Sequence, residues 1–189
     1  MFALVESGSI TQMMNGNKGI TLNGIQYPKS IYTLWNESER NAIGIYTIEI
    51  DETNKKEKEW YTNTDITYAF SGGKVKGTYG TATAKEIADK TVDGVVEKGL
   101  KTIKKELIDN QCAGLLAPSD WRVVKATETG GTMDSGWKTW RASVRTKCNS
   151  MQTQIDNASD VDALAALFTY TEQSDKSITR PLGEFPEKE

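Results

Sequence analysis

The side chains of this chain that could do chemistry are carboxylates, lysines, tyrosines and two cysteines, because the sequence contains no histidine. The lack of histidine excludes Ser-His-Asp and Cys-His catalysis and any zinc site with imidazole ligands. The enzyme chemistry that the remaining side chains could support is general acid–base catalysis by a pair of carboxylates, as in glycan cleavage. No spacing singles out such a pair, and no extended repetitive β-region is present to build a sugar groove. We therefore expect a protein that is not an enzyme.

Two short motifs could bind ions, and both have simpler explanations. Asp160 and Asp162 form a D-x-D pair, but no further oxygen ligands follow at the spacing of a calcium-binding loop. Both residues lie where helix caps belong, so capping is the favoured interpretation. Residues 72–78 (GGKVKGT) lack the order of a phosphate-binding P-loop and are not followed by a helix, which indicates a hairpin turn. We expect neither a metal nor a cofactor.

The two cysteines, Cys112 and Cys148, indicate a protein made in a reducing compartment. A disulfide framework would need more pairs in a shorter chain. A Cys112–Cys148 bridge is the less favoured alternative, and two buried free thiols are the prediction.

Composition favours a protein that works in an assembly. Of the 189 residues, 37% are hydrophobic, and the mean hydropathy is −0.54, so the chain is more polar than a usual globular enzyme. The net charge is −3, and no face rich in Lys and Arg stands out, so we expect no nucleic-acid partner. No apolar run is long enough to span a membrane, and residues 1–10 do not have the pattern of a signal peptide. An elongated or assembly-dependent protein without membrane contact is expected.

Residues 1–80 are predicted to form a small β-rich domain. The segments FALVES, SITQMM and GITLNGIQYP are rich in β-branched or aromatic residues and are separated by glycines. Residues 43–51 alternate between apolar and polar positions, as a half-buried strand does. The other expected elements are one helix over 30–41 with Ser30 as N-cap, an exposed turn over 54–59 and a hairpin at Gly72-Gly73.

Residues 81–172 are predicted to form a helical domain. From 83 to 112, apolar residues recur every three or four positions, which is the period of one helix face. Gly94 and Gly99 would each cost about 1 kcal/mol relative to Ala inside a helix. A break is therefore expected near 93–99, with a firmer helix from about residue 100 to residue 112.

Three further helices are predicted after that segment. One begins at Pro118-Ser119-Asp120, carries Trp121 and Val124 on its apolar side and stops at Gly130-Gly131. The next begins at Asp134 or Ser135 and is longer. Ser159 with Asp162 resembles a capping box before the short helix VDALAALFTY, and residues 173–189 are predicted to be an extended C-terminal tail.

The longer helix carries an apolar seam at steps of three and four residues, close to a heptad pattern. Its members are Trp137, Trp140, Val144, Cys148, Met151, Ile155 and Ala158. Such a seam fits a helical hairpin within one chain, and it would equally close a parallel homotrimer. Both alternatives stay open, and the trimer is the favoured homo-oligomer. The expected fold class is α+β, with a small N-terminal β-rich domain followed by a helical hairpin or bundle, or by a trimeric coiled coil.

Three of the five tryptophans lie in residues 115–148, at Trp121, Trp137 and Trp140. One interpretation is that they join three short helices into a small core, since each can bury some 200 Å². The other is that part of this cluster anchors another subunit. The pattern favours the first interpretation without excluding the second.

The same stretch resembles a motif of tailed-phage tail-fibre proteins. In that motif a [ST]-D-W start is followed by a basic-Ala-x-Glu-[ST]-G turn and then by a W-x-x-[YW]-R helix. The residues that carry the resemblance are Pro118, Ser119, Asp120, Trp121, Val123, Ala126, Glu128, Gly130, Trp137, Trp140 and Arg141. The motif occurs in tail fibre assembly proteins and in related virion-associated proteins. This chain departs from the assembly proteins in its long helical segment over 83–112 and in its two glycines between 128 and 133.

The resemblance implies a non-enzymatic structural component of a tailed-bacteriophage virion, in the tail, the baseplate or the tail-fibre base. Such a protein would be made in the host bacterial cytoplasm and would attach or organise the receptor-binding fibre, with other tail or fibre proteins as partners. The alternative is a tail fibre assembly chaperone that is absent from the mature particle. The residues expected to contact partners are Trp121, Trp137, Trp140, Arg141, Val144, Met151, Ile155, Pro181 and Phe185.

Overall fold

A computed structural model describes residues 1–188, which divide into two compact units. The first is Met1–Thr83, here called the β-rich unit, and the second, the helical unit, begins at Ala84. With 37% of the residues in helices and 27% in strands, the α+β class is confirmed. The division lies close to the boundary predicted at residue 80, and the residues predicted as a separate tail belong to the helical unit.

The β-rich unit contains eight strands and two short helices. They are β1 (Phe2–Glu6), β2 (Ser9–Met14), β3 (Ile20–Leu22), β4 (Ile25–Tyr27), α1 (Ile31–Leu34), α2 (Glu37–Ala42), β5 (Ile45–Asp51), β6 (Tyr61–Thr62), β7 (Ile66–Ser71) and β8 (Lys74–Tyr79).

Five of these strands form a curled sheet in the order β2-β1-β5-β8-β7. The central pair, β5 and β8, is parallel, with Ile48 opposite Val75, and the other pairs are antiparallel. The predicted hairpin at Gly72-Gly73 is confirmed, because both glycines have positive φ (59° and 74°) in the turn between β7 and β8. The strand predicted over 43–51 begins two residues later, at Ile45.

Strand β1 is apolar from Phe2 to Val5 because both faces of the sheet are covered at these residues. Leu4 packs into one buried cluster, in which α1 contributes Ile31 and Tyr32. Ala3 and Val5 point to the opposite face and pack into a second cluster with Ile48 and Val75. The result is a small domain core on each side of one short strand.

The single helix predicted over 30–41 is wrong. Trp35 is extended (ψ 142°) and separates α1 from α2. Asn36 starts the second helix with a complete capping box, since its Oδ1 accepts from the Glu39 N–H at 2.9 Å and the Glu39 carboxylate accepts from the Asn36 N–H at 2.8 Å. Ser30 makes no side-chain capping bond. A strong local cap at Asn36 therefore outweighed the continuous helical pattern.

Within residues 84–188, the helical unit contains four α-helices, one 3-10 turn and short strands. They are β9 (Thr83–Ala84) at the division between the units, β10 (Lys90–Val92), β11 (Val95–Glu97), α3 (Leu100–Leu116), a 3-10 turn (Ala117–Ser119), α4 (Asp120–Glu128), α5 (Ser135–Asn157), α6 (Val161–Phe168), β12 (Thr171–Glu172) and β13 (Ile178–Thr179).

The helix predicted from 83 to about 93 is wrong, and the segment forms the β10–β11 hairpin. Asp93 and Gly94 both have positive φ (50° and 79°), which builds the tight turn that this dipeptide favours. The helix expected from about residue 100 is confirmed and extends to Leu116. The N–H groups of Leu100 and Lys101 donate to carbonyls of the preceding segment at 2.9 and 3.0 Å, so the helix start is satisfied without a side-chain cap.

Helices α3 and α5 form an antiparallel hairpin. Lys105 Nζ reaches Asp156 Oδ1 at 2.8 Å near one end, and the Arg141 guanidinium reaches the Leu116 carbonyl at 2.7 Å near the other. The buried side chains of α5 are Arg141, Val144, Cys148, Met151 and Ile155. The heptad seam is thus used inside one chain, which is the hairpin alternative, and a trimeric coiled coil is not shown.

Aspartate side chains cap the N-termini of α5 and α6, and the cap residue of α6 differs from the predicted one. Asp134 caps α5 as predicted, accepting from the N–H groups of Gly136 and Trp137. The N-cap of α6 is Asp160 and not Ser159, because Asp160 Oδ1 accepts from the Ala163 N–H at 2.8 Å. That bond, with the Ser159 hydroxyl, lowers the Asp160 pKa. The favoured capping role of the D-x-D motif is confirmed for Asp160.

The residues after α6, where an extended C-terminal tail is predicted from residue 173, form a short hairpin of β12 and β13 and then a segment that packs on the helices. Leu182 is fully buried, its N–H donates to the Leu167 carbonyl at 3.1 Å, and its carbonyl accepts from Lys147 Nζ at 2.8 Å. An apolar side chain inside a polar ending is enough to hold the segment in place.

Cys112 and Cys148 are free and buried, as predicted. They belong to α3 and α5, and the Cys148 thiol donates to Asp109 Oδ1 at 3.6 Å. Burial, hydrogen bonding with Cys112 and the nearby Asp109 together raise the pKa of Cys148 from 9.0 to about 12.

We predict that Gly99→Ala destabilises the protein by about 2 kcal/mol or more, because a Cβ at this position would overlap the Ala88 backbone and lie 2.7 Å from the Ile87 carbonyl carbon. Gly114→Ala is the matched control, since a Cβ there meets nothing within 4 Å. In that helix it should stabilise by roughly 0.5–1 kcal/mol. Urea unfolding measures both, and equal effects of the two substitutions would contradict the tight loop packing at Gly99.

We predict that the Cys148 thiol lowers the free energy of unfolding as the pH rises above about 9. The unfolded thiol ionises near 9.0 and the folded one only near 12, so the unfolded state binds fewer protons in that window. Urea unfolding at about pH 8 and about pH 10.5 should show a smaller pH-dependent loss in Cys148→Ala than in the parent protein. Identical losses in the two proteins would show that the thiol is not protected.

Candidate partner-binding surface

The buried guanidinium of Arg141 fixes the connection between α3 and α4. Arg141 is 5% exposed and lies in the second turn of α5. Its Nη1 donates to the Leu116 carbonyl at 2.7 Å and to the Ser119 hydroxyl, and its Nη2 donates to Asp120 Oδ1 at 2.6 Å. The carbonyls at the end of α3 have no partner within the helix, so the guanidinium supplies one. The start of α4 is thereby held against α5.

A second cation joins the tryptophans of the two helices. The Arg122 guanidinium carbon lies 4.6 Å from the centre of a Trp121 ring and 4.5 Å from that of a Trp137 ring. Trp137 and Trp140 meet edge to face, with ring centres 5.6 Å apart. Lys125 Nζ lies 6.0 Å from Trp121. We call Trp121, Arg122, Lys125, Trp137 and Trp140 the aromatic–cation surface.

The interpretation that the tryptophans form a helical core is wrong for Trp121. This side chain is 54% exposed, as is Val124, and α4 contributes no buried residue. The predicted apolar side of α4 therefore faces outward. The physical reason is that α4 meets α5 through the side chains of Arg122 and Arg141, and not through interlocking apolar side chains.

Trp137 and Trp140 are half-buried and face the end of the chain. The Trp140 Nε1 donates to the Pro186 carbonyl at 2.9 Å, and Lys188 Nζ lies 5.3 Å from the Trp137 ring centre. Two of the three tryptophans thus serve packing within the helical unit, and Trp121 is the one whose ring is mainly open to a partner.

A cavity of about 390 Å³ lies between α4, the turn after it and α5. Its walls include Val123, Ala126, Met133, Lys138, Arg141 and Arg145. Its lining contains three cations and no carboxylate. We call it the α4–α5 cavity, and its volume falls in the range of sites that take a small ligand or a few side chains of a partner.

The remaining residues predicted to contact partners lie in the interior of the helical unit or in its C-terminal segment. Val144, Met151 and Ile155 are fully buried in the helical unit, so their side chains serve its interior. Pro181 is exposed and Phe185 is half-buried in the C-terminal segment. Of the predicted set, the structure brings together Trp121, Trp137, Trp140 and Arg141.

Sequence reasoning missed the cations of the site, which are Arg122, Lys125, Lys138 and Arg145. The adjacency of Trp121 and Arg122 was a usable signal, because Arg stacks on aromatic rings more readily than Lys does. Lys138 and Arg145 lie seven residues apart on α5, either side of Arg141, and that spacing places them on one helix face.

Among residues 1–188, no group of three or more His, Cys, Asp or Glu side chains could hold a metal ion. In the same part of the chain, no helix is both long enough and apolar enough to cross a membrane. The aromatic–cation surface presents ring faces, cationic groups and, beside them, exposed apolar side chains.

Comparison of the chain with protein-family models, with curated proteins and with solved structures gave no match. The resemblance to tail-fibre proteins stays a prediction. The structure adds a physical reason for its motif, since Ser119 and Asp120 of the first part bind Arg141 of the last part, and Arg122 joins Trp121 to Trp137.

We predict that Arg141→Met lowers the free energy of unfolding by about 1–3 kcal/mol, because a buried hydroxyl and a helix-end carbonyl lose a charged donor. Asp120→Asn should cost less than about 1 kcal/mol, since this partner is mostly exposed and the amide oxygen still accepts. Chemical denaturation followed by circular dichroism checks both. A larger loss in Asp120→Asn than in Arg141→Met would contradict the central position given to the guanidinium.

Proposed function

We propose that this chain is a non-enzymatic structural component of a tailed-bacteriophage virion, placed at the tail, the baseplate or the tail-fibre base, where it attaches or organises the receptor-binding fibre. The observation that carries the proposal is the outward-facing helix α4. Its apolar side chains are exposed although it is firmly held, which is how an attachment surface is presented.

The side chains at this surface are those that supply binding energy in protein interfaces. Trp and Arg dominate interface hot spots, because each contributes a large contact area together with a polar group. Trp121 has both, with Arg122 stacked on its ring and with Val123 and Val124 exposed beside it. Because Arg141 fixes α4, a partner would meet a surface ordered in advance and would lose less conformational entropy on binding.

The β-rich unit is assigned the second contact in this proposal. Its sheet ends in two edge strands, β2 and β7, and edge strands can pair with strands of another protein. In the proposed arrangement, the β-rich unit docks on the tail or oligomerises around its axis, and the helical unit presents α4 to the fibre.

A homotrimer remains part of the proposal, but not through the heptad seam. Val144, Met151 and Ile155 already pack inside the hairpin, so a trimer built on them would require the hairpin to open. Ile103 and Leu107 are exposed one helix turn apart on α3 and offer an apolar strip that needs no opening.

A tail fibre assembly chaperone is the second candidate. The same exposed Trp121 and the α4–α5 cavity would suit a client that is bound during assembly and then released. The two candidates differ in where the protein ends up, since a structural component stays in the particle and a chaperone leaves it.

We expect peptides of this chain in purified, DNA-filled particles of the phage that encodes it, at a constant ratio to the major tail protein. Quantitative mass spectrometry of gradient-purified particles measures that ratio. Trp121→Ala should reduce the fibre content of the particles at least severalfold, because the largest exposed anchor is lost.

The matched control is Ile178→Ala, which removes an exposed apolar side chain from the β12–β13 hairpin, to which no partner contact is assigned. It should leave fibre content unchanged. Absence of the chain from finished particles, together with insoluble fibre when its gene is deleted, would exclude the structural role and select the chaperone.

A further inference from the structure

We propose that the α4–α5 cavity, with Trp121 beside it, binds a polypeptide segment of the partner that carries carboxylates next to large apolar side chains. This inference rests on the proposed attachment function and adds the chemistry of the partner segment. Four observations support it: the unmatched cations, the apolar wall, the spacing of the cations and the covered ring faces.

The cations around the cavity have no carboxylate partners within the described chain. Among residues 1–188, no ion pair is formed by Arg122, Lys125, Lys138 or Arg145. The neighbouring carboxylates Asp120 and Asp134 are engaged elsewhere, by Arg141 and by the N-terminus of α5. Other lysines of the protein do pair, for example Lys74 with Glu49 at 2.9 Å. The positive charge of these four side chains is therefore available to pair with a negatively charged ligand.

Apolar groups line the same cavity. Val123, Ala126 and Met133 form part of its wall, and the exposed Trp121 ring borders an adjoining hollow that shares Ala126 and Met133 with the cavity. A free anion would leave this apolar area in water. A segment with both carboxylates and large apolar side chains would cover it, which is why the surface fits an acidic apolar segment better than a small anion.

The spacing of the cations sets the spacing of the carboxylates. Lys138 and Arg145 are seven residues apart on α5, which corresponds to roughly 10 Å along a helix. In a polyproline II segment, which has three residues per turn, side chains three residues apart point to the same side and lie about 9 Å apart. We therefore infer a partner segment of the form acid-x-x-acid, with apolar residues at the two middle positions.

The ring faces argue for a polypeptide and against a single-stranded nucleic acid. Binding of bases needs bare aromatic faces on which to stack. Here Arg122 lies over one face of Trp121 and one face of Trp137, and Lys188 also lies over Trp137, so fewer ring faces are left for bases. Side chains of a peptide can reach the cavity beside the rings without displacing these cations.

The test uses the full chain and three fluorescein-labelled probes, with binding followed by fluorescence anisotropy at low and at physiological salt. The probes are the peptide GSDLWEVGS, its amide counterpart GSNLWQVGS and a single-stranded thymidine oligonucleotide. We expect the acidic peptide to bind about tenfold more tightly than the amide peptide at low salt, with a smaller difference at higher salt.

The variant K138Q/R145Q should weaken the acidic peptide about tenfold and leave the amide peptide unchanged. K18Q/K29Q removes the same charge from exposed positions of the β-rich unit and is the matched control, expected to bind as the parent does. Both substituted pairs are exposed, so unchanged circular dichroism should accompany the loss of binding.

Three results would overturn the inference: equal affinity for the two peptides, equal losses in the two charge variants, or tighter binding of the oligonucleotide. The proposed function is judged separately, by the presence of the chain in particles. If the chain is found in particles but its cavity does not bind the acidic peptide, the proposed function stands and this inference fails. If the cavity binds the acidic peptide but the chain is absent from particles, this inference stands and the proposed function fails.

Discussion

In the helical unit, the position of α4 depends on one buried guanidinium, that of Arg141. The Arg141 guanidinium donates to the last carbonyl of α3, to the Ser119 hydroxyl in the 3-10 turn and to the Asp120 carboxylate at the start of α4. Each of these acceptors can take a hydrogen bond that the neighbouring backbone does not supply. Because α4 has no buried side chain of its own, its attachment depends on this guanidinium and on the Arg122 stacking. The positions of Trp121, of Arg122 and of the α4–α5 cavity follow from it.

Elements with strong local signals could be predicted from the sequence. The Asp134 cap, the Gly72-Gly73 turn and the helix from residue 100 were correct, because caps and turns act over a few residues. The helix predicted before Gly99 failed because a three-and-four period in a short valine-rich segment also fits a hairpin. There the positive φ of Asp93 and Gly94 decided the outcome.

The candidate site was harder, since its contacts join residues far apart in the chain. Arg141 reaches Leu116 and Arg122 reaches Trp137 only after α3 and α5 have paired. The apolar pattern on α4 indicates that the helix has an apolar face, but it does not indicate whether residues of the same chain cover that face. The sequence therefore indicated a cluster of tryptophans, and the geometry was needed to show that Trp121 is exposed and that the apolar seam of α5 is buried.

The way α4 is attached also determines how the molecule opens. The α3–α5 hairpin is held by buried apolar side chains, whereas α4 is held by charged hydrogen bonds and ring stacking at its rim. Local unfolding begins where buried apolar contacts are fewest, so α4, although its native position is fixed, is expected to detach in denaturant before the α3–α5 hairpin opens. A partner seated on α4 would clamp it and raise the force at which the unit yields.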